Sequence, residues 1–151
     1  MNEEPKAHPA YAGQFRHAMD NKHRLTIPSR WRVDDSDQFF LLPSQDNIYL
    51  SALPPSEFRK VNETVNNDPR ISPTERRWFA RFYFSQAQHC VLDKQGRLLI
   101  PDEFCQTAAL ESDTILVGTF DRFEIWNPQR WEQAKERGTG TYQQVANLIG
   151  L

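Results

Sequence analysis

Residues 93–101 read DKQGRLLIP, and residues 20–28 read DNKHRLTIP, so one nine-residue element occurs twice in this chain of 151 residues. Five of the nine positions are identical, and each copy also carries one lysine, Lys22 or Lys94. The likeness continues downstream, in the paired segments 46–50 with 121–125 and 55–58 with 128–131. Such an internal repeat predicts the architecture before any single residue is interpreted. We therefore expect two equivalent halves.

The size of the halves predicts how they pack. A half of this chain is too short to bury much apolar surface by itself. Together the halves have 38% hydrophobic and 12% aromatic residues, which is enough for one core. We therefore expect an α+β fold in which both halves share that core.

The repeated element predicts a strand, a tight turn and a second strand. Leu25 and Ile27 alternate with polar neighbours, the period of two that is typical of a half-buried strand. Gly96 stands at the end of the second turn, where a positive φ is expected. His23 takes that place in the first turn, and histidine is one of the few other residues enriched at positive φ. The two turns are expected to share one geometry.

The pattern after each repeated element predicts the rest of each half. Pro28 and Pro101 end the second strands and predict short helices over residues 29–33 and 102–109. Further strands are predicted over residues 39–42, 48–50, 115–117 and 123–126. Each half is therefore expected to contain a hairpin, a short helix and another hairpin.

Longer helices are predicted between the halves and after each of them. Asn127 is a natural N-cap for the helix that follows the second half, and Pro55 begins its counterpart. Ser72 and Glu75 form a capping box, which predicts a central aromatic helix over residues 72–84.

Three segments are expected to lie outside the repeats. Residues 1–13 begin without a hydrophobic stretch, and we interpret them as a disordered tail. The polar residues 62–71 are interpreted as the link between the halves. Residues 138–151 are interpreted as a C-terminal tail, a loose loop at its glycines followed by a short helix.

The sequence argues against several classes of protein. No apolar run approaches the ~18 residues of a membrane span, and the N terminus does not read as a secretory signal. Cys90 and Cys105 lack a CxxC spacing, which indicates reduced thiols in a cytosolic protein. His17, His23 and His89 show no zinc-ligand spacing. No catalytic motif is present either, so we expect no enzyme, metal, cofactor or small-molecule substrate.

The charge is unevenly distributed along the chain. The formal net charge is −2 overall, yet residues 14–32 carry +4 whereas residues 87–105 carry −1. A concentrated basic face on a nearly neutral chain can still steer an anionic partner.

The tandem motifs and the segments around them resemble the MraZ family of bacterial transcriptional regulators. The two copies are joined by RRWFARFYFSQAQ at residues 76–88 and followed by VGTFDRFEIWNPQRW at residues 117–131. Two copies with an aromatic helix between them make a specific pattern, and the likeness covers residues 14–134. The chain departs from the family in its N-terminal extension and in His23, where the family usually has glycine.

This resemblance implies a duplicated swapped-hairpin β-barrel of the AbrB kind, with short helices and a central aromatic helix. It also implies a homo-oligomeric ring that binds double-stranded DNA at short direct repeats upstream of the division and cell-wall gene cluster. Such a protein is expected in the cytoplasm, associated with the nucleoid and not with a membrane. The expected division of the chain is a tail at 1–13, a first AbrB-like repeat at 14–61, a linker and aromatic helix at 62–86, a second AbrB-like repeat at 87–137 and a tail at 138–151.

Two interpretations of the aspartate–arginine pair in each motif stay open. In the structural interpretation, the aspartate accepts backbone N–H bonds within its turn and pairs with the arginine. In the functional interpretation, the aspartate holds the arginine at an angle suited to guanine O6 and N7. The candidate DNA-binding residues are Arg24, Lys22, Arg16, His23, Arg30, Arg97 and Lys94. The residues assigned to the structure of the motifs are Asp20, Asp93 and Gly96.

The charge pattern predicts different roles for the two motifs. Asp102 and Glu103 lie within a few residues of Arg97 in the sequence, and their carboxylates would repel phosphate at short range. We therefore expect the first repeat to be the main DNA reader and the second to complete the barrel.

A rival function is a ring-shaped protein-interaction scaffold whose basic face is incidental. Trp78, Phe79 and Phe82 are expected to lie in the core or in a subunit contact, where they could serve either function. DNA affinity falls steeply with salt because phosphate contacts release counterions. An apolar protein interface would respond little, so a salt series distinguishes the two functions.

Overall fold

The computed structural model describes residues 10–32 and 37–151. The order strand, turn, strand, short helix, two strands and long helix occurs twice along the described chain. The strands are β1 (Gln14–Ala18), β2 (Arg24–Thr26), β3 (Gln38–Pro43), β4 (Leu50–Leu53), β5 (Gln88–Val91), β6 (Arg97–Leu99), β7 (Asp113–Gly118) and β8 (Phe123–Trp126). The α-helices are α1 (Pro55–Asn67), α2 (Pro73–Gln86), α3 (Asp102–Thr107) and α4 (Pro128–Leu148), and a 3-10 helix spans Ser29–Trp31.

The strands of one half pair with strands of the other half, and all described pairs are antiparallel. Six strands form one sheet in the order β1-β7-β8-β4-β3-β5, and β2 pairs with β6 in a separate ladder. In the large sheet Phe15 of β1 lies opposite Leu116 of β7. At the other edge Phe39 of β3 lies opposite Cys90 of β5. Each half therefore supplies the edge strand that pairs with the hairpin of the other.

One hydrophobic core contains residues from both halves, as predicted. Leu25 and Leu98 lie opposite each other in the β2–β6 ladder, and both are fully buried. Trp31 and Phe123 stack with their ring centroids 5.0 Å apart. Phe39 meets Phe123 edge-on at 5.1 Å. Aromatic side chains bury large areas and pack in such geometries, so the contact of the two halves supplies much of the apolar burial.

The closed barrel implied by the resemblance is not what the described strands form. The large sheet is open, with β1 and β5 at its edges. The reason lies in the tight turn after each edge strand, which sends the chain into the β2–β6 ladder instead of around to the opposite edge. The expectation of a mixed fold of strands and helices is confirmed.

The N-terminal boundary of the fold lies earlier than predicted. The interpretation of residues 1–13 as a disordered tail is wrong for Tyr11, whose side chain is 1% exposed. Its N–H donates to the carbonyl of Phe120 at 2.9 Å, and its own carbonyl accepts from Phe120 at 2.9 Å. Its ring packs against Trp31, Phe39 and Phe123. Residues 1–9 lie outside the described residues.

The fourth strand of the first half starts later than predicted. It runs over Leu50–Leu53 and not over residues 48–50. The hydroxyl of Ser44 accepts the N–H groups of Ile48 and Tyr49, at 2.9 and 3.2 Å, and so holds both residues in the preceding turn. The other predicted strands lie within one or two residues of their positions.

The helices between and after the halves are longer than predicted. The link expected over residues 62–71 is mostly helix, because α1 continues to Asn67. The capping box of α2 is confirmed, with Glu75 N–H donating to Ser72 Oγ at 3.1 Å and Ser72 N–H donating to Glu75 Oε1 at 2.8 Å. Of the predicted short helix at 29–33, residue 33 lies outside the described residues.

The loose loop expected at the start of residues 138–151 is also helix. Asn127 caps α4 by accepting the N–H groups of Gln129 and Arg130, at 2.8 and 3.1 Å. The helix then continues through Gly138 and Gly140. Each glycine costs a helix only about 1 kcal/mol relative to alanine, so a helix that is already nucleated can pass through both.

Candidate nucleic-acid interface

The first turn, residues 20–24, is organised by one carboxylate. Asp20 Oδ1 accepts the backbone N–H groups of Lys22 and Arg24, at 2.9 and 2.8 Å. Its other oxygen, Oδ2, accepts Nε–H of Arg24 at 2.7 Å. Asp20 thus accepts the hydrogen bonds of two backbone N–H groups in the turn and also fixes the Arg24 side chain.

The second turn, residues 93–97, repeats this geometry bond for bond. Asp93 Oδ1 accepts the N–H groups of Gln95 and Arg97, both at 2.9 Å. Asp93 Oδ2 accepts Nε–H of Arg97 at 2.8 Å. Both turns therefore contain the hydrogen bonds that the structural interpretation describes, and these bonds are compatible with the functional interpretation.

Both turns need one residue with a left-handed backbone. His23 has φ +61° and Gly96 has φ +74°, as the sequence predicts for these positions. The turns close with hydrogen bonds from His23 N–H to the carbonyl of Asp20, at 3.1 Å, and from Gly96 N–H to the carbonyl of Asp93, at 2.9 Å. A positive φ is strained for histidine and not for glycine, so the first turn is the more strained of the two.

The hydrogen bonds keep both aspartates ionised. The N–H of Arg24 is the main cause that lowers the pKa of Asp20 to about 2, and the Arg24 guanidinium also contributes. The N–H of Arg97 likewise lowers the pKa of Asp93. At neutral pH each turn therefore holds a carboxylate against an arginine.

The arginines keep donors for a ligand. Arg24 and Arg97 bind their aspartates through Nε, and their side chains are 32% and 26% exposed. No residue in the described part of the chain accepts a hydrogen bond from their terminal Nη atoms. A guanidinium fixed through Nε presents its Nη donors in one plane, the arrangement that reads guanine or binds phosphate.

The surroundings of the turns differ from those expected, because each turn lies beside the other half. His23 Nδ1 lies 2.6 Å from Asp102 Oδ1 at the start of α3. A Cβ atom at Gly96 would overlap the guanidinium of Arg32, which follows the 3-10 helix of the first half. Asp102, which the sequence analysis assigned to the surroundings of Arg97, thus contacts the first turn through its side chain.

The other candidate residues lie in various settings. Arg16 forms a bidentate ion pair with Asp113, with Nε 3.0 and 3.1 Å from the two oxygens, so its charge is balanced. Arg30 is exposed and lies over the ring of Phe15, 5.3 Å from its centroid. Lys22 and Lys94 are exposed at the tips of their turns.

Two neighbours of the turns, Asp102 and Arg32, were not identified as site residues from the sequence. The repeat contained the necessary information, since cross-pairing of two equivalent halves brings the helix start of each half beside the turn of the other. In the β2–β6 ladder, Arg24 lies opposite Leu99 and Thr26 lies opposite Arg97. The start of α3 consequently lies next to the first turn.

The described residues offer no metal site and no membrane-spanning helix. Within residues 10–32 and 37–151, no group of three or more histidine, cysteine, aspartate or glutamate side chains could hold a metal ion. His89 Nε2 instead lies 3.0 Å from the amide oxygen of Gln38. None of the described helices has the length and apolar character that crossing a membrane requires.

The chain is similar to known proteins over most of its length. Residues 83–146 match the family model described as "MraZ protein, putative antitoxin-like". The chain is similar to the transcriptional regulator MraZ of Desulforamulus reducens, with 34% identity over 142 residues that cover 93% of this chain and 99% of the relative. Proteins of the same name from Heliobacterium modesticaldum and Pediococcus pentosaceus are 35% and 39% identical, each covering 92% of this chain and 96% of the relative.

Proposed function

The chain belongs to the MraZ family, and from this premise we propose that it is a transcriptional regulator that binds double-stranded DNA. The relatives compared above are named transcriptional regulators. We place the DNA contact at the first and second turns. The proposal is for a binding protein and not for an enzyme.

The observation that carries this proposal is the matched pair of fixed arginines. Asp20 and Asp93 hold Arg24 and Arg97 in the same way, through Nε, at 2.7 and 2.8 Å. A purely structural ion pair needs no donors pointing outward, whereas DNA recognition needs fixed donors of this kind. Arginine presented in this way binds guanine with two hydrogen bonds, or a phosphate.

We assign the contacts by charge and position. Arg24 and Arg97 read base edges or bind the nearest phosphates, and Lys22 and Lys94 bind phosphate from the tips of the turns. His23 supplies a further polar group at the first turn. Arg30 and Arg16 belong to the first repeat and contribute to its positive charge, Arg16 less because Asp113 balances it.

We also propose that the fold is a duplicated swapped-hairpin domain of the AbrB kind. Support comes from the reciprocal pairs β1 with β7 and β5 with β3, and from the β2–β6 ladder that joins the two motifs. In this proposal the two AbrB-like repeats are residues 14–61 and 87–137. Residues 62–86 connect them through the aromatic helix.

Assembly into a ring would explain how such small contacts give useful affinity. Each chain offers two turns, and linking several chains raises the apparent affinity by orders of magnitude without new contacts. We propose a homo-oligomeric ring in the cytoplasm, at the nucleoid. Its targets would be short direct repeats upstream of the division and cell-wall gene cluster.

A mobility-shift experiment tests the proposal. The probes are a duplex from the DNA upstream of the protein's own gene cluster and a random-sequence duplex of equal length. We expect a shift on the upstream duplex at lower protein concentration, and binding to both duplexes that weakens steeply as salt rises. Equal affinity for both duplexes would overturn sequence-specific binding, and the absence of any shift at low salt would overturn the DNA function.

The second candidate function is a protein-interaction scaffold, and exposed aromatic side chains favour it. Trp78 is 53% exposed and Phe82 is 72% exposed on α2, where the two rings stack at 6.0 Å. Such a surface suits a protein partner or another copy of the chain. If the chain shows no DNA shift yet forms salt-insensitive complexes, the scaffold function replaces the regulator.

A further inference from the structure

Arg32 lies over the second turn although it belongs to the first half of the chain. Its guanidinium occupies the space where any side chain at position 96 would begin, so only Gly96 permits this approach. The equivalent position in the first turn carries His23, whose ring instead contacts Asp102. The two turns therefore have the same internal geometry and different neighbours.

The charge of Arg32 is not balanced by any described residue. Within residues 10–32 and 37–151 Arg32 forms no ion pair, and its buried Nε has no hydrogen-bond partner. A buried N–H without an acceptor costs free energy. The Asp93 oxygens accept bonds from Gln95 and Arg97, and Arg32 Nε makes none with them. A phosphate beside the turn would balance the charge.

The neighbours give the two turns different formal charges, counting histidine as neutral. Among the described residues at the second turn, three cations, Lys94, Arg97 and Arg32, face the carboxylate of Asp93. Asp37 also lies beside this turn, since its carbonyl accepts Leu92 N–H at 2.7 Å, so the formal charge is +1.

At the first turn two cations, Lys22 and Arg24, face two carboxylates, Asp20 and Asp102, which leaves no net charge. Charges within a Debye length of about 10 Å act on a phosphate at moderate salt. The second turn is the stronger anion site on this count.

We infer that the second turn is a composite phosphate-binding site completed by Arg32 across the two halves, and that Asp102 weakens phosphate binding at the first turn. This inference rests on the proposed DNA function, and it names the residues that give the two turns different affinities for phosphate. It reverses the ranking that the sequence alone suggests, because Asp102 contacts His23 of the first turn. In this inference Arg32 binds DNA. Asp102 acts indirectly, through its contact with His23 and through its negative charge near the first turn.

The test measures affinity for a random-sequence duplex by fluorescence anisotropy across a salt series. Arg32→Gln removes the charge and keeps a long polar side chain, whereas Arg32→Lys keeps the charge. Arg59→Gln removes the same charge from an exposed position on α1 and is the matched control. Circular dichroism melting curves check that each variant is folded.

We expect Arg32→Gln to bind roughly tenfold more weakly at low salt, the usual effect of losing one hydrogen bond to a charged group. Its plot of log affinity against log salt should be shallower by about 0.9, the loss of one phosphate contact. Arg32→Lys should keep the slope of the wild type, and Arg59→Gln should match the wild type. A separate variant, Asp102→Asn, should bind more tightly than the wild type.

The outcomes separate this inference from the proposed function. If the wild type binds DNA but Arg32→Gln behaves like Arg59→Gln, the composite site is wrong while the regulator stands. Unchanged or weaker binding by Asp102→Asn would also overturn the part assigned to that carboxylate, even if Arg32→Gln failed to fold. If the wild type binds no duplex at low salt, the proposed function and this inference fall together.

Discussion

The His23 ring of the first motif contacts the Asp102 carboxylate of the second half, with Nδ1 and Oδ1 2.6 Å apart. The two residues are distant in the sequence, and the antiparallel β2–β6 ladder brings them together. The contact ties a strained turn to the start of α3. The surroundings of the first turn are thus partly made by the other half of the chain.

The arginines of the two turns should differ in their importance for DNA binding. Arg24→Ala and Arg97→Ala should each weaken binding to the upstream duplex, and Arg97→Ala should weaken it more because it disrupts the more cationic turn. Both pairs are partly exposed, so either change should cost little stability. Gel-shift titrations of the two variants, with melting curves as a folding control, measure the difference. A variant of either arginine that binds as tightly as the wild type would remove that arginine from the site.

The acid stability of the protein should depend on Asp20. Its pKa is lowered from 3.8 to about 2 in the folded chain. A carboxyl group of this kind stabilises the fold above its unfolded pKa, and the stabilisation is lost as the pH falls through the folded pKa.

We therefore expect the wild type to lose stability between about pH 4 and pH 2. Asp20→Asn should be less stable at pH 7, and its free energy of unfolding should change less with pH in that range. Urea unfolding at several pH values measures this. Parallel curves for the two proteins would contradict the assignment.

Tyr11 should be part of the stable fold. Its ring fills a space between three aromatic side chains, so Tyr11→Ala should lower the free energy of unfolding by about 3–5 kcal/mol. The hydroxyl has no hydrogen-bond partner in the part of the chain that the structure describes. Tyr11→Phe should therefore change the stability by less than about 1 kcal/mol in either direction. Denaturant titrations of both variants check this, and similar values for the two would show that the ring is not packed as described.

The two cysteines should be unreactive in the native protein. Burial raises the pKa of both the Cys90 and the Cys105 thiols to about 11, with the Asp102 carboxylate adding to the rise at Cys105. Only about one thiol in a thousand would then be ionised at pH 8, and the thiolate is the reactive form. We expect slow reaction with a disulfide reagent at pH 8 and rapid reaction of two thiols per chain in denaturant. Rapid native reaction of either thiol would contradict this.

The exposed aromatic face of α2 should mediate contact between chains. Phe82→Glu places a charge next to Trp78 on this face and should reduce the molar mass measured by light scattering at micromolar concentration. The control is Thr64→Glu, which adds the same charge at an exposed position on α1. A wild type that is already monomeric, or a Phe82→Glu protein of unchanged mass, would exclude this face from assembly.

The sequence predicted the geometry within each turn well, but it predicted poorly which residues from the rest of the chain contact each turn. The aspartate, the arginine and the positive φ at His23 and Gly96 depend on residues within one turn, so nine residues are enough to specify them. The capping box of α2 is local in the same sense. In contrast, the ranking of the turns used Asp102 and Glu103 because they are close in sequence to Arg97, and Asp102 contacts His23 instead. Strand pairing determines which residues contact each turn, and the sequence of a single chain does not specify that pairing.

Long helices were also underestimated. Gly138 and Gly140 predicted a loop because glycine disfavours helix, yet α4 is capped by Asn127 and continues through both. Propensity is a weak guide when a helix is already nucleated. Tyr11 was missed for a related reason, since one aromatic residue in a polar segment gives no periodic pattern.

The pairing of β1 with β7 also constrains how the chain folds while it is being synthesised. Gln14 pairs with Val117, so the first strand has no partner until the seventh has left the ribosome. At roughly 5–20 residues per second of translation, β1 waits on the order of 5–20 seconds with an open edge. An unpaired strand edge is open to pairing with other chains. A slower rate of translation therefore lengthens the time for which this edge of β1 is exposed.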